Sequence, residues 1–320
     1  VTPGSAKLAK KKKSGRVSAT KPQVSNLQAG IAGIRQITAE EKTAFIRAGL
    51  DFSTLEAAGF GRRALVASDA KFEDFLKQVD YETNFPSYVG VFRKAYEGLG
   101  ELPTAVVNKM FEQFMCLQLT DPGPGDKVVD IAAAQGTFSR IVKTLCKVDV
   151  SYHQDLTEVR STSFPYLASD EIVHVKCNAT ELPFEDGSIS YMYLLNAWEH
   201  FQAPADLGLL VEAQRCLKPG GKLLIIPLVV AAKAHVETDP DLWMKKQVYN
   251  PGSEPLFRKD VAVYLGNKGQ IYGQFHDAQL LKSFAAQLPG LRFEILTINL
   301  EEITRQVHGK SWLALVATKV

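Results

Sequence analysis

Val128-Val129-Asp130-Ile131-Ala132-Ala133-Ala134-Gln135-Gly136-Thr137-Phe138 changes character twice. The apolar, β-branched run Lys127–Ile131 reads as a buried strand. The small residues after it read as a sharp turn, and the stretch from Gly136 to about Lys147 reads as a helix. A strand that turns directly into a helix opens a βαβ unit, and Asp130 stands at the strand end where sheets of that kind meet their ligands.

Downstream, β-rich runs keep alternating with helical patterns. Further strands are expected at Val148–Asp155, Ile172–Cys177, Ile189–Leu195 and Lys222–Pro227, then at Arg292–Ile298 and Trp312–Thr318. Helical patterns run through Leu207, Leu210, Val211 and Cys216, and over Ala278–Gln287. The expectation is an α/β fold: seven strands in a mostly parallel sheet, helices on both faces. Upstream lies a helical N-terminal region. Thr38-Ala39-Glu40-Glu41 has the form of a capping box. Phe72, Phe75, Leu76 and Val79 recur at helical spacing, a third helix should stop before Gly98 and Gly100, and a fourth spans Ala105–Leu119. The organisation read from this is a flexible basic tail (1–36), a helical region (37–120), and an α/β domain (121–320) with an insertion at about 229–276.

The chain has 320 residues, 46% apolar and 22% charged, the proportions of a globular protein. Its longest apolar run, Leu223–Ala232, is interrupted by Pro227 and is too short to span a bilayer. Eight of the 37 basic residues precede the first acid, Glu40, so the 29 that follow face all 35 acidic residues. The body is therefore mildly acidic, and contact with nucleic acid is expected only through the Lys10–Lys13 tail. Cys116, Cys146, Cys177 and Cys216 form no CxxC pair and lie in apolar stretches, as reduced thiols do. A cytoplasmic location is expected, or an organelle if the acid-poor tail is a transit remnant. No metal-ligand pattern is visible, and the oligomeric state is not readable.

Three segments carry chemistry in order: the 128–138 stretch; Asn178-Ala179-Thr180-Glu181-Leu182-Pro183-Phe184-Glu185-Asp186-Gly187-Ser188; and Arg215-Cys216-Leu217-Lys218-Pro219-Gly220-Gly221-Lys222-Leu223. Together, at this spacing, they resemble the class I S-adenosylmethionine-dependent methyltransferase superfamily over roughly residues 121–230. Within it the glycine-poor first loop, Glu199-His200-Phe201 and Ile226-Pro227-Leu228 resemble a little-characterised bacterial-type group. The resemblance implies a Rossmann-like fold and S-adenosyl-L-methionine as cofactor.

The family's first loop is D-x-G-x-G-x-G. Asp130 matches its acid and Gly136 its last glycine, while Ala132 and Ala134 replace the other two. A left-handed alanine costs about 1–2 kcal/mol, so the loop is tolerated if φ stays negative there. Asp155 closes the second strand at βαβ spacing and is expected on the ribose hydroxyls. By resemblance Asn178 and the Ala179 N–H are placed at the adenine, and Asn196 at the methionine part. Glu199 and His200 are the candidates for binding or deprotonating an acceptor, His200 because imidazole titrates near neutrality. The insertion carries His235, Asp239, Asp241, Trp243, Tyr249, Arg258, Tyr264, Tyr272 and His276, polar and aromatic groups that suit a hydroxylated acceptor. The function expected is methyl transfer to an oxygen or nitrogen of a small-molecule or glycan-type acceptor. The alternatives are a non-catalytic binding or assembly module, which the two alanines suggest, and an RNA methyltransferase using the tail. A nicotinamide dehydrogenase is disfavoured, because G-x-G-x-x-G is missing.

Overall fold

A computed structural model of the chain describes residues 35–36, 52–95, 104–158, 167, 171–238, 249–257, 273–300 and 312–320. The Lys10–Lys13 run, the 38–41 capping box, Gly98 and Gly100 lie outside the described residues, as do Asp239, Asp241, Trp243, Arg258, Tyr264 and Tyr272 of the insertion.

The N-terminal elements are β1 (Arg35–Gln36), α1 (Phe52–Ala57), β2 (Gly61–Ala67), α2 (Asp69–Val79), α3 (Tyr81–Asn84), α4 (Pro86–Ala95) and α5 (Thr104–Thr120). The α/β domain continues with β3 (Lys127–Ile131), α6 (Phe138–Cys146), β4 (Val150–Asp155), β5 (Val173–Lys176) and β6 (Ile189–Leu195). A 3₁₀ turn (Trp198–His200) leads to α7 (Ala205–Cys216) and β7 (Leu217–Ile226). Then come β8 (His235–Thr238), β9 (Glu254–Phe257), β10 (Gly273–Phe275), α8 (Ala278–Gln287), β11 (Leu291–Leu300) and β12 (Trp312–Lys319).

The main sheet has the order β2-β11-β12-β7-β6-β3-β4-β5. Strands β7, β6, β3, β4 and β5 are mutually parallel, and β12 is antiparallel to both of its neighbours, β7 and β11. From β3 the chain runs outward to β4 and β5, then returns to β6 on the other side. The strand order therefore reverses between β3 and β6, and a crevice opens beyond their carboxyl ends.

The sheet is one strand wider than the seven expected. The eighth, β2, comes from the N-terminal region read as helical and pairs in parallel with β11. It is an edge strand, and an Arg63–Glu294 ion pair at 3.1 Å bridges it to its neighbour. Charged side chains on an edge blunt its tendency to pair with other chains, and they also hide the strand's apolar alternation. Strand β7 starts earlier than the expected Lys222, taking in Lys218-Pro219-Gly220-Gly221. A Cβ on Gly221 would stand 2.8 Å from the carbonyl oxygens of Lys218 and Ser190, so only glycine lets the strands close there.

The core lies in two layers. On one face Leu55, Trp198, Leu209, Leu210, Leu281 and Phe284 pack on the sheet from α1, the 3₁₀ turn, α7 and α8. On the other, α2 to α6 contribute Phe72, Phe75, Phe111, Phe114, Phe138 and Ile141. There Phe72 meets Phe111 edge-on at 5.4 Å, which joins α2 to α5 and sets α5 across the crevice. Within the insertion, β8, β9 and β10 form a small second sheet with β1. The last two residues of the segment read as tail are thus a strand, parallel to β9. Among the described residues, no helix is long and apolar enough to cross a membrane. All four cysteines are free.

Candidate functional site

The loop after β3 is built on two left-handed alanines. Ala132 has φ +50° and Ala134 φ +46°, so the condition of negative φ is not met. The end of β4 shows what maintains the strain. Gln154 Oε1 accepts the Ala132 N–H (3.0 Å), and the Gln154 carbonyl accepts the Ala133 N–H (2.9 Å). Asp155 Oδ2 accepts the Ala134 N–H (3.0 Å), and His153 Nε2 lies 3.0 Å from the Ala134 carbonyl. Facing a carbonyl, that nitrogen must carry the proton, so Nδ1 accepts from the Ser139 hydroxyl 2.8 Å away. Burial lowers the His153 pKa, in keeping with a neutral ring. Three consecutive side chains therefore hold one turn. Gly136 closes it: its N–H donates to Ala133 O at 2.7 Å, and a Cβ there would stand 2.9 Å from the same oxygen.

Between this loop and the helices of the N-terminal region is a cavity of about 240 Å³. Asp130, Ala132 to Gly136 and Asn196 line one side, and Tyr88 and Val91 of α4 and Lys109, Glu112 and Gln113 of α5 line the other. The alanine methyls thus form part of its wall and do not fill it. Asp130 is 4% exposed, and burial, with Asp155 adding repulsion, pushes its pKa up to about 7. Burial likewise pushes Glu112 up to about 8. Asn196, at φ +50°, donates its side-chain amide to Glu112. Gln113 accepts the Tyr81 hydroxyl and donates to Thr137 Oγ1 at 3.2 Å, tying α5 to the start of α6.

The structure brings Asp130, Ala132, Ala134, Gly136 and Asn196 together around the cavity. Asp155 is outside its lining and reaches it through Ala134. Asp155 Oδ1 also takes the Thr157 N–H (2.8 Å) and hydroxyl (2.7 Å). Asn178 and Ala179 follow β5 on the same rim; Asn178 is exposed, its Oδ1 holding the Thr180 N–H at 3.1 Å, and Ala179 is buried. Glu199 and His200 are set back from the cavity lining, with His200 Nε2 3.9 Å from Glu199 Oε1.

A buried polar set holds the turn that carries them. Asp206 is fully buried at the start of α7. Its Oδ2 accepts from Asn250 (2.6 Å), Gln274 (2.5 Å) and His276 Nε2 (3.0 Å), and its Oδ1 takes the Leu207 N–H (2.9 Å). Burial opposes ionisation of Asp206, but these bonds, led by His276, prevail and hold its pKa low. The His276 ring in turn stacks on Trp198 at 4.1 Å, nearly parallel. Neither Asp206 nor Glu112 was singled out from the sequence. The signal for Glu112 was a polar pair, Glu112-Gln113, inside an otherwise apolar helix face. Among the described residues, no group of three or more His, Cys, Asp or Glu is arranged to hold a metal.

Known proteins are similar to this chain over part of its length. Residues 128–225 match the methyltransferase domain family. A ubiquinone/menaquinone biosynthesis C-methyltransferase from Saccharophagus degradans is 26% identical over 179 residues, 53% of this chain and 71% of that protein. A second, from Hahella chejuensis, is 28% identical over 177 residues, 52% of this chain and 66% of that protein. Among solved structures, phosphoethanolamine N-methyltransferase 2 from Haemonchus contortus, with phosphomonomethylethanolamine and S-adenosylhomocysteine, aligns at 17% identity and TM-score 0.44, covering 78% of this chain and 60% of that one. Strand, clamped loop and matched segments coincide in residues 128–225, the stretch that matches the methyltransferase domain family, and together they support the class I S-adenosylmethionine-dependent methyltransferase superfamily.

Proposed function

We propose that this methyltransferase acts on a small, hydroxylated acceptor of the sugar or metabolite type, at an oxygen or nitrogen atom. The observation that carries the reading is the cavity between the 132–136 loop and α4–α5. At about 240 Å³ it is smaller than the ~300–1,000 Å³ typical of drug-sized ligands, so it suits one end of a cofactor and a compact acceptor.

The residues present fit S-adenosylmethionine, because the loop already has the left-handed backbone that close approach to a ligand requires. Asp130, Asn196 and the loop backbone would hold its amino-acid end. Asp155 would take the ribose: among the described residues its Oδ2 accepts only the Ala134 N–H, which leaves a lone pair for a hydroxyl. Leu156, 66% exposed beside it, offers an apolar face to the purine, with Asn178 and Ala179 at the purine edge. Bound there, the cofactor supplies a methyl group already activated on a sulfonium. The chain's own task is then alignment of donor and acceptor, and removal of a proton. His200, with Glu199 to orient it, would take that proton, and the Trp198–His276 stack would hold their turn in place.

A carbon acceptor is the second reading, favoured by the C-methyltransferase names of the two relatives. The test is calorimetry with S-adenosylmethionine and S-adenosylhomocysteine, followed by labelled-methyl transfer to a panel of sugars, amines and phenols. Binding of both nucleosides and label on oxygen or nitrogen are expected. Label on carbon would select the second reading, and binding without turnover a non-catalytic module. Neither heat nor a thermal shift at millimolar nucleoside would end the reading altogether.

A further inference from the structure

Glu112 has no part in the chemistry described so far, yet its setting is unusual for a carboxyl group. It lies mid-way along α5 beside Met110, Phe111, Phe114 and Met115, is 1% exposed, and lines the cavity across from the 132–136 loop. Asn196 donates to it, but among the described residues no cation stands within ion-pair distance. The groups around it can be named element by element. Its own helix brings Lys109, Gln113 and Cys116; β3 brings Asp130; the segment after β6 brings Asn196 and Glu199; α4 brings Tyr88. Only Lys109 is basic, and it is part-exposed on the same helix, one turn earlier.

We propose that Glu112 is the counter-charge for a cationic centre of the bound cofactor, a specificity-determining carboxylate supplied by the N-terminal helical region. This rests on the reading that the cavity takes S-adenosylmethionine. The argument is one of charge. A carboxylate taken out of water needs an opposite charge or a full set of donors, and among the described residues Glu112 has one neutral amide and, a turn away, the part-exposed Lys109. In the free protein the group accordingly stays protonated to about pH 8. A cation entering the cavity reverses that balance: the carboxyl O–H breaks, its proton goes to solvent, and the carboxylate remains against the ligand. S-Adenosylmethionine carries two such centres, the α-ammonium and the sulfonium. S-Adenosylhomocysteine keeps only the first.

The experiment is titration calorimetry of both nucleosides into the full chain and into Glu112→Gln, between about pH 6 and 9, in two buffers of different ionisation enthalpy. For the wild type, affinity should rise with pH until about pH 8, with proton release on binding below that point. Asp130 should contribute a separate rise that ends near pH 7. In Glu112→Gln the rise between pH 7 and 8 should vanish, and affinity at about pH 8.5 should fall about tenfold or more. An equal loss on both nucleosides would place the ammonium at Glu112, and a loss confined to S-adenosylmethionine the sulfonium. Wild-type affinity and unchanged proton release in the variant would overturn the proposal. Should the variant not fold, the wild-type proton count decides: release of more than one proton on binding at about pH 6, from Asp130 and Glu112 together, supports the proposal, and release of one or fewer overturns it. If the wild type binds neither nucleoside, the reading of the cavity itself fails, which is a distinguishable result.

Discussion

The loop after β3 and the turn after β6 stand at the ends of adjacent parallel strands, but they are held in different ways. The first is clamped by the next strand of its own βαβ unit, through His153, Gln154 and Asp155, about twenty residues away in sequence. The second is held from the insertion. His276 stacks on Trp198 and meets Asp206 across 70 positions, with Asn250 and Gln274 on the same carboxylate oxygen. A local clamp comes with the fold and is present wherever the βαβ unit forms. A distant one exists only if the small sheet docks. The loop after β3 is therefore intrinsic to the α/β domain, while the turn after β6 depends on the docking of the insertion.

The comparison can be broken at Asp206. Asp206→Ala leaves three buried donors facing no acceptor, and removing one partner of a buried charged set costs about 3–5 kcal/mol. Urea unfolding should show a loss of that order; a loss under about 1 kcal/mol would mean that the turn is held by something else.

Next comes the local clamp. His153→Phe strips the Ala134 carbonyl and the Ser139 hydroxyl of their partner and should cost about 1–3 kcal/mol. His153→Gln, which can still donate to that carbonyl, should recover part of it. The pH dependence has a definite sign. The folded-state pKa of His153 is lowered, so the unfolded chain binds the extra proton first. Stability from this group is present above about pH 6.5 and is lost as pH falls below it through the lowered value. Equilibrium unfolding of the two variants against pH should show the acid-side loss shrinking with the imidazole.

Asp155→Ala sharpens the picture on the ligand side. It removes both the carboxylate proposed for the ribose and the Ala134 N–H acceptor, so S-adenosylhomocysteine should bind about tenfold more weakly, a difference of about 1.4 kcal/mol by calorimetry. Unchanged affinity would remove Asp155 from the site.

The smallest effect is expected at the alanines. Relief of about 1–2 kcal/mol of left-handed strain is partly offset by the ~0.5–1 kcal/mol entropic cost of glycine. Ala132→Gly and Ala134→Gly should therefore each stabilise the protein by about 1 kcal/mol or less, read from denaturant midpoints.

Much of the scaffold was legible because its signals are local. Ile189–Leu195 and Ala278–Gln287 have the boundaries that periodicity and turn chemistry suggest. Asp130 and Asn196 could be placed at strand ends for the same reason, and both line the cavity. Three features were harder to read. β2 escaped notice because the charges of an edge strand interrupt its apolar pattern. The φ angles of Ala132 and Ala134 were left open because composition reports the cost of a left-handed alanine but not the hydrogen bonds that offset it. Glu112 was passed over because an apolar helix face reads as core, and one carboxyl within it does not say whether it faces a wall of side chains or a hollow.

Alone, the order of residues determined the alternation of strand and helix and which residues turn the chain after β3, since each depends on contacts within one βαβ unit. Tertiary structure alone decided that α5 roofs the crevice, that Glu112 looks into it, and that an insertion grips the turn after β6. Those outcomes depend on how surfaces far apart in the chain pack together, and hydrophobic periodicity specifies which face is buried without specifying what it is buried against.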